Sequence, residues 1–167
     1  MISRDGKKGG SECFRWESIS MMRAPMIQAE LAPHFIRKTY ALPVYSSKVQ
    51  AGFPSPADEY IQGHLDLNSK FIRNPSATFV VQATGDSMTD AGIFSGDWLL
   101  VDKSLDVADG NIVIAAINGE LTVKRLSRTK GRVQLLSANP KFPPIDITEE
   151  MDLVIWGVVT CVFHELL

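Results

Sequence analysis

The sequence predicts a mainly β domain, a compact sheet or partly open barrel, preceded by an extended N-terminal arm. Six runs rich in Val, Ile, Leu and aromatic residues, separated by Gly, Pro, Asn and Asp, predict the strands. The chain's 167 residues suit one domain plus an appended segment. A hydrophobic fraction of 45% and a charged fraction of 22% are ordinary for a globular protein, so the chain is expected to fold.

The arm is expected to be extended or loosely ordered, because Pro25, Pro33 and Pro43 interrupt every stretch that could form a long amphipathic helix. Up to residue 51 there are 8 Lys and Arg against 4 Asp and Glu, a net charge of +4, and the remainder carries 9 against 15, a net charge of -6. A charge of +4 spread over 51 residues is far from the clustered basic stripe of a DNA-binding face. Ordinary solvated charge is the favoured interpretation.

The first 21 residues are Gly- and Lys-rich at their start and show no periodicity. Met21, Met22 and Met26 are candidate downstream start codons, so residues 1–21 are interpreted as a possible over-extended reading frame. N-terminal sequencing of the native protein would test this hypothesis.

A short helix is predicted to begin at Ser55-Pro56-Ala57-Asp58, where an N-cap residue, a first-turn proline and an acid follow in the favoured order. Ala57, Tyr60, Ile61 and Leu65 then recur at helical spacing. Asn74-Pro75 closes this region before the strands begin.

The strands are predicted at 78–83, 97–102, 111–117, 120–126, 132–136 and 153–163. Asn118-Gly119 supplies the positive φ values of a two-residue hairpin turn, so residues 112–117 should pair antiparallel with 120–126. The last run is long for one strand, and Gly157 within it is expected to mark a bulge or bend that lets it serve two parts of the sheet.

Several classes of protein are disfavoured. Cys13 and Cys161 are far apart and have no metal-ligand spacing, so no disulfide framework, metal or cofactor is predicted, and a reducing cytoplasm fits best. No apolar run reaches the roughly 20 residues of a membrane span.

The three histidines have no supporting context for a triad or metal site and are interpreted as surface or satisfied residues: His34, His64 and His164. Six acids near strand ends match no calcium loop and are interpreted as turn and cap residues: Asp86, Asp90, Asp97, Asp102, Asp106 and Asp109.

The candidate catalytic pair is Ser87, on a glycine-bearing turn at a strand end, and Lys124, within an apolar strand. Lys124 is either an exposed face residue, as the neighbouring Arg125 suggests, or a desolvated amine. Desolvation lowers the pKa of a lysine toward neutrality, where the neutral amine can activate a serine hydroxyl. Thr122, two residues before Lys124, lies on the same strand face and is a candidate to orient the amine.

Five motifs in order closely resemble the UmuD branch of the LexA-like self-cleaving Ser-Lys proteins over roughly residues 49–167. Ser87 lies 36 residues after Ala51 and Lys124 lies 37 after Ser87, as the family pattern requires. The motifs are Ala51-Gly52-Phe53-Pro54-Ser55-Pro56, Gly85-Asp86-Ser87-Met88, Gly96-Asp97 followed by Leu99-Leu100-Val101-Asp102, Gly119-Glu120-Leu121-Thr122-Val123-Lys124-Arg125-Leu126, and Gly157-Val158-Val159. The resemblance implies a compact LexA-like C-terminal β domain.

The resemblance also implies the reaction. Ser87 would be the nucleophile, Lys124 its general base and the Ala51-Gly52 peptide bond the substrate, with the backbone NH groups of Ser87 and Met88 as oxyanion donors. The expected division is an arm, residues 1–51, removed by self-cleavage, and a Ser-Lys peptidase and dimerisation domain, residues 52–167. The bond is carried by the same chain, so its delivery is expected to be intramolecular; cleavage between the two chains of a dimer is the alternative.

By resemblance, filaments of RecA on single-stranded DNA would stimulate cleavage, and the trimmed homodimer would join a UmuC-type Y-family polymerase for translesion synthesis. One alternative is a self-cleaving LexA-like repressor, but the arm lacks a pair of capped amphipathic helices, which argues against direct DNA binding. The other alternative is a non-catalytic polymerase-binding module in which Ser87 and Lys124 are relics. The first 21 residues and much of 22–49 depart from the family pattern, so no regulatory contact of the arm is carried over.

Overall fold

The computed structural model describes residues 40–45, 61–129 and 131–166. They form two antiparallel sheets, a two-stranded sheet β1-β2 and a seven-stranded sheet in the order β3-β4-β9-β5-β6-β7-β8. A five-residue helix, α1, precedes β3, and a short 3-10 helix spans Thr89–Ala91. The remaining bounds are β1 Ala41–Tyr45, β2 Ile61–Asp66, α1 Leu67–Phe71, β3 Thr78–Gln82, β4 Trp98–Asp102, β5 Ile112–Ile117, β6 Glu120–Thr129, β7 Arg132–Leu136, β8 Ile145–Asp146 and β9 Leu153–Phe163. No helix in the described ranges is long and apolar enough to cross a membrane.

The mainly β class is confirmed, and each of the six predicted strands is present. The predicted hairpin is confirmed: β5 and β6 pair from Ile117↔Glu120 onward, and the two turn residues, Asn118 and Gly119, have φ values of 50° and 86°. These left-handed values are what a two-residue turn matching the twist of the strands requires.

The expected bend at Gly157 is also confirmed. The register of β9 against β5 shifts beside Gly157, and the two ends of β9 pair with different neighbours, β5 at the start and β4 at the end. Gly157 is buried, and a Cβ atom there would lie 2.8 Å from the backbone oxygen of Asp102. Glycine therefore allows the close approach of β9 and β4 as well as the bend.

The predicted helix was wrong over Ile61 and Leu65. Those residues belong to β2, which pairs with β1 of the arm through Leu42↔Leu65 and Tyr45↔Ile61. Strand pairing overrides the helical spacing, because Ile61 and Leu65 fit the two-residue period of a strand equally well. The proposed start of that helix, at Ser55, lies outside the described residues. The helix that is present begins one residue after Asp66, whose carboxylate accepts a hydrogen bond from Asn68 N at 3.1 Å.

The core consists of two apolar clusters, and alternate residues of β5 contribute to each. Val113 and Ala115 belong to one cluster and Ile114 to the other, and all three are buried. A strand buried on both faces explains why the β5 run is continuously apolar instead of alternating with polar residues. The buried members of the first cluster are Val113, Ala115, Leu126, Val133, Leu135, Leu153, Ile155 and Val158. Those of the second are Ala83, Met88, Ile93, Leu99, Val101 and Ile114.

Candidate active site

Ser87 lies on a loop that leaves the end of β3 and enters the 3-10 helix. Gly85 has a φ of 88°, a left-handed value that starts the turn. The side chain of Met88 is 1% exposed, and its carbonyl accepts hydrogen bonds from Ala91 N and Ile93 N at 3.0 and 3.2 Å. The loop is thus anchored in the second core cluster immediately beside Ser87, which itself stays half-buried.

Lys124 lies on β6, where its cross-strand partner is the fully buried Val113. Its side chain is only 7% exposed, so the interpretation of Lys124 as an exposed face residue was wrong. Nζ of Lys124 lies 2.7 Å from Oγ of Ser87 and 3.0 Å from the carbonyl oxygen of Val123. Both distances are ordinary hydrogen-bond lengths.

Burial lowers the pKa of the Lys124 amine below its usual value, because the enclosure penalises the charged form. In the neutral form, an N–H of Lys124 can donate to Val123 O while the lone pair on Nζ accepts the hydroxyl proton of Ser87. This arrangement can convert a weak alcohol into a nucleophile by removing its proton as it attacks.

The cleft beside Ser87 has a volume of about 210 Å³ and is bounded by the end of β3 on one side and the start of β6 on the other. Its lining is mainly apolar: Val81, Gln82, Ala83, Thr84, Leu99, Ile114, Leu121, Thr122 and Val123. Here β6 pairs with β5 along one edge, whereas its pairing with β7 begins only at Arg125. The opposite edge of β6 from 120 to 124 is therefore unpaired within the described sheet.

The structure brings Ser87, Met88 and Lys124 together. The backbone NH groups of Ser87 and Met88 donate no hydrogen bond to any acceptor in the described part of the chain, so both remain available to an acceptor. Thr122 lines the cleft, but among the described residues Lys124 Nζ contacts Ser87 and Val123 instead. Ala51 and Gly52 lie outside the described residues.

The histidines that the structure describes stand apart from this pair. His64 is exposed on β2, and Nδ1 of His164 lies 2.5 Å from the buried carboxylate of Asp97. His34 lies outside the described residues. Within the described ranges, no group of three or more His, Cys, Asp and Glu residues is arranged to hold a metal ion.

Sequence reasoning missed Asn139, which follows β7 and donates hydrogen bonds to the carbonyls of Asp86 and Ser87. An asparagine before a proline indicates a turn, but it carries no signal for a contact 53 residues away.

The fold together with Ser87 and Lys124 indicates the class of protein. It is a mainly β domain in which a half-buried serine beside a cleft contacts a buried lysine. Residues 43–160 match the family model described as Peptidase S24-like. The chain is 48% identical over 123 residues to Protein SamA of Salmonella typhimurium, covering 74% of this chain and 85% of SamA. It is 43% identical over 132 residues to Protein ImpA of Escherichia coli, covering 75% of this chain and 86% of ImpA.

A LexA repressor, from Photorhabdus laumondii, is 40% identical over 118 residues, which cover 70% of this chain and 58% of that repressor. The chain belongs to the Peptidase S24-like family, as a UmuD-type member of its LexA and UmuD group. Membership places it among the SOS-related self-cleaving serine peptidases.

Proposed function

We propose that this protein cuts its own Ala51-Gly52 peptide bond, with Ser87 as nucleophile and Lys124 as general base. The observation that carries the proposal is the 2.7 Å separation of Lys124 Nζ and Ser87 Oγ, formed by a lysine that is 7% exposed. The contact gives the buried amine a hydrogen-bond partner, and it also brings together the two groups that acyl transfer needs.

The reaction proceeds through an ester. Neutral Lys124 accepts the hydroxyl proton as Ser87 Oγ attacks the carbonyl carbon of Ala51, and the NH groups of Ser87 and Met88 stabilise the oxyanion. The Lys124 ammonium then gives its proton to the nitrogen of Gly52, the peptide bond breaks, and Ala51 remains as an ester on Ser87. A water molecule, deprotonated by Lys124, hydrolyses this ester and restores the serine.

The substrate residues fit the site. A cleft of about 210 Å³ lined by apolar side chains accepts the small side chain of Ala51, and Gly52 allows the backbone to adopt the conformation that attack requires. Strand β1 ends at Tyr45 and its partner β2 begins at Ile61, so the bond lies in the 15-residue connection between the two strands. Its delivery to Ser87 is intramolecular, which raises its effective concentration.

Cleavage at this bond divides the chain into an arm, residues 1–51, and a 116-residue product, residues 52–167. We propose that this product is a homodimer, acts in the cytoplasm and joins a UmuC-type Y-family polymerase as its accessory subunit. Filaments of RecA on single-stranded DNA are the proposed activator. Membership of the UmuD-type group supports these roles.

The test is incubation of the purified full chain between pH 7 and 11, followed by mass spectrometry. A fragment that begins at Gly52 should accumulate faster as pH rises, because a larger fraction of Lys124 is then neutral. Lys124→Ala and Ser87→Ala should each reduce the rate by at least about a thousandfold, whereas Lys103→Ala, at an exposed lysine, should not change it. Equal cleavage by Lys124→Ala and the parent, or a fragment with a different first residue, would refute the proposal.

A further inference from the structure

Asn139, in the loop that follows β7, makes two hydrogen bonds to the Ser87 loop and two within its own loop. Its backbone NH donates to Ser87 O at 3.0 Å, and its side-chain Nδ2 donates to Asp86 O at 2.9 Å. Its own carbonyl accepts from Phe142 N at 3.1 Å, and its Oδ1 accepts from Lys141 N at 3.0 Å. One asparagine therefore holds two consecutive carbonyls of the loop that carries the nucleophile.

The orientation of the Asn139 amide is determined by this network. Lys141 N can only donate, so the atom facing it must be Oδ1, and the atom facing Asp86 O must be Nδ2. A flipped amide would place two donors together at Lys141 and two acceptors together at Asp86. Pro140, the next residue, further restricts Asn139 to an extended backbone conformation.

Holding these two carbonyls also fixes the direction of two NH groups. The peptide bonds in this loop are trans, so the carbonyl of each peptide unit points opposite to the NH of the next residue. With Asp86 O and Ser87 O both directed at Asn139, the NH groups of Ser87 and Met88 are directed away from it. These are the two amides that donate to no acceptor in the described part of the chain.

We infer that Asn139 is a positioning residue for self-cleavage, which holds the oxyanion-binding amides of Ser87 and Met88 in place through the carbonyls behind them. The inference rests on the proposed function. Within the loop itself, Asp86 O accepts one further hydrogen bond, from Thr89 Oγ1 at 3.2 Å, and Met88 O accepts hydrogen bonds from Ala91 N and Ile93 N. These bonds join residues 86–93 to one another, whereas Asn139 joins Asp86 to a segment 53 residues away, after β7.

The test compares four full chains: the parent, Asn139→Ala, Asn139→Asp and the control Asn74→Asp. Asn74 also precedes a proline and also accepts a hydrogen bond through Oδ1, from Ser76, but lies outside the site. The first-order rate constant of self-cleavage is measured from pH 7 to 11, which gives a plateau and a midpoint for each chain. Thermal unfolding verifies that each chain is folded.

Both Asn139 variants should lower the plateau by at least about tenfold, since misdirecting an oxyanion donor costs part of the hundredfold or more that losing one costs. The midpoint should equal that of the parent, because it reports Lys124, which Asn139 does not contact. Asn74→Asp should match the parent in both. A plateau within about twofold of the parent in Asn139→Ala would overturn the inference.

A midpoint that moves to higher pH in Asn139→Ala would also overturn it, since Asn139 would then serve the enclosure of Lys124. If Asn139→Asp fails to fold, Asn139→Ala alone decides, because it removes the donor without adding a charge. If neither variant folds, Asn139 is a structural residue and the inference is wrong. Failure of the proposed function is seen separately, as a parent that does not cleave or as Lys124→Ala that cleaves normally.

Discussion

Replacing Lys124 by methionine should change how the stability of the fold depends on pH. Methionine has a similar length but no titratable group. Lys124 is only 7% exposed, so the folded state accommodates the charge of its ammonium form poorly. The pKa of Lys124 is lowered in the folded protein by burial, whereas in the unfolded chain it returns to about 10.4. Between these two values the unfolded state binds more protons than the folded state.

The sign follows from that difference in bound protons. The free energy of unfolding should rise with pH in this window, by up to about 1.4 kcal/mol per pH unit for one proton. Below the lowered pKa, both states carry the ammonium and Lys124 contributes no slope. The contribution ends above about pH 10.4, where the unfolded chain also loses the proton.

Urea unfolding at intervals from pH 6 to 11 would measure this slope. Ser87→Ala should be present in every chain so that self-cleavage does not interfere, and the comparison is then with and without Lys124→Met. Other groups titrate equally in both chains and cancel in the difference. Lys103→Met, which removes an exposed lysine 4.9 Å from the centre of the Phe79 ring, is the control and should leave the slope unchanged. Superimposable slopes with and without Lys124→Met would refute the reasoning that Lys124 is desolvated.

Two further substitutions test the fold around the site. Gly157→Ala should lower the free energy of unfolding, measured with urea, by about 1 to 3 kcal/mol, because the new Cβ meets Asp102 O and the Val101 side chain at 2.8 Å. The control is Gly63→Ala, where a Cβ meets nothing within 4 Å. It should change the free energy of unfolding by less than about 0.5 kcal/mol. Asp97→Asn should cost about 1 to 3 kcal/mol at pH 7, since the buried carboxylate accepts from Phe94 N and lies 2.5 Å from Nδ1 of His164. The hydrogen bond from Phe94 N lowers the pKa of Asp97. The stability that the ionised Asp97 contributes is therefore present above about pH 4 and is lost as the pH falls through the pKa of Asp97 in the folded protein. Equal stability of parent and variant at pH 7 would contradict this prediction.

The strands of the large sheet could be predicted because their signals are local. The dipeptide Asn118-Gly119 is by itself enough to predict a two-residue hairpin turn. Gly157 interrupts a long apolar run at the point where β9 changes partner. The two-residue β8 was missed, because a strand of Ile145 and Asp146 is too short to show periodicity. Its pairing with β7 depends on contacts that only the folded chain makes.

The small sheet could not be predicted for a different reason. Four apolar or aromatic residues between 57 and 65 fit a helix, and two of them also fit a strand, so the choice depends on whether a partner strand is present. That partner, β1, lies in a proline-containing segment, and Pro43 pairs with His64 on a strand whose other edge has no neighbour in the described sheets. Proline is tolerated at such an edge, which is why it did not prevent a strand.

The proposed catalytic pair could be singled out from the sequence because of the spacing of its two members. A lysine amid apolar strand residues and a serine two residues after a positive-φ glycine both have ordinary explanations, and only their spacing relates them. Asn139 breaks no rule, since asparagine before proline is common in loops. Its contact with Asp86 and Ser87 is visible only after folding.

The curvature of the large sheet explains how Ser87 and Lys124 meet. Four strand spacings separate β3 from β6 in the order β3-β4-β9-β5-β6, which in a flat sheet would be about 19 Å. Nevertheless Ser87, five residues after β3 ends, lies 2.7 Å from Lys124 on β6. The sheet therefore curls so that β3 and β6, its first and fifth strands, face each other across the cleft that residues of both strands line. The two register shifts of the interior strand β9, against β4 and against β5, supply local bends for this curl. The approach of β3 to β6 brings Ser87 within 2.7 Å of Lys124, so the serine is itself one of the groups that contact the buried amine.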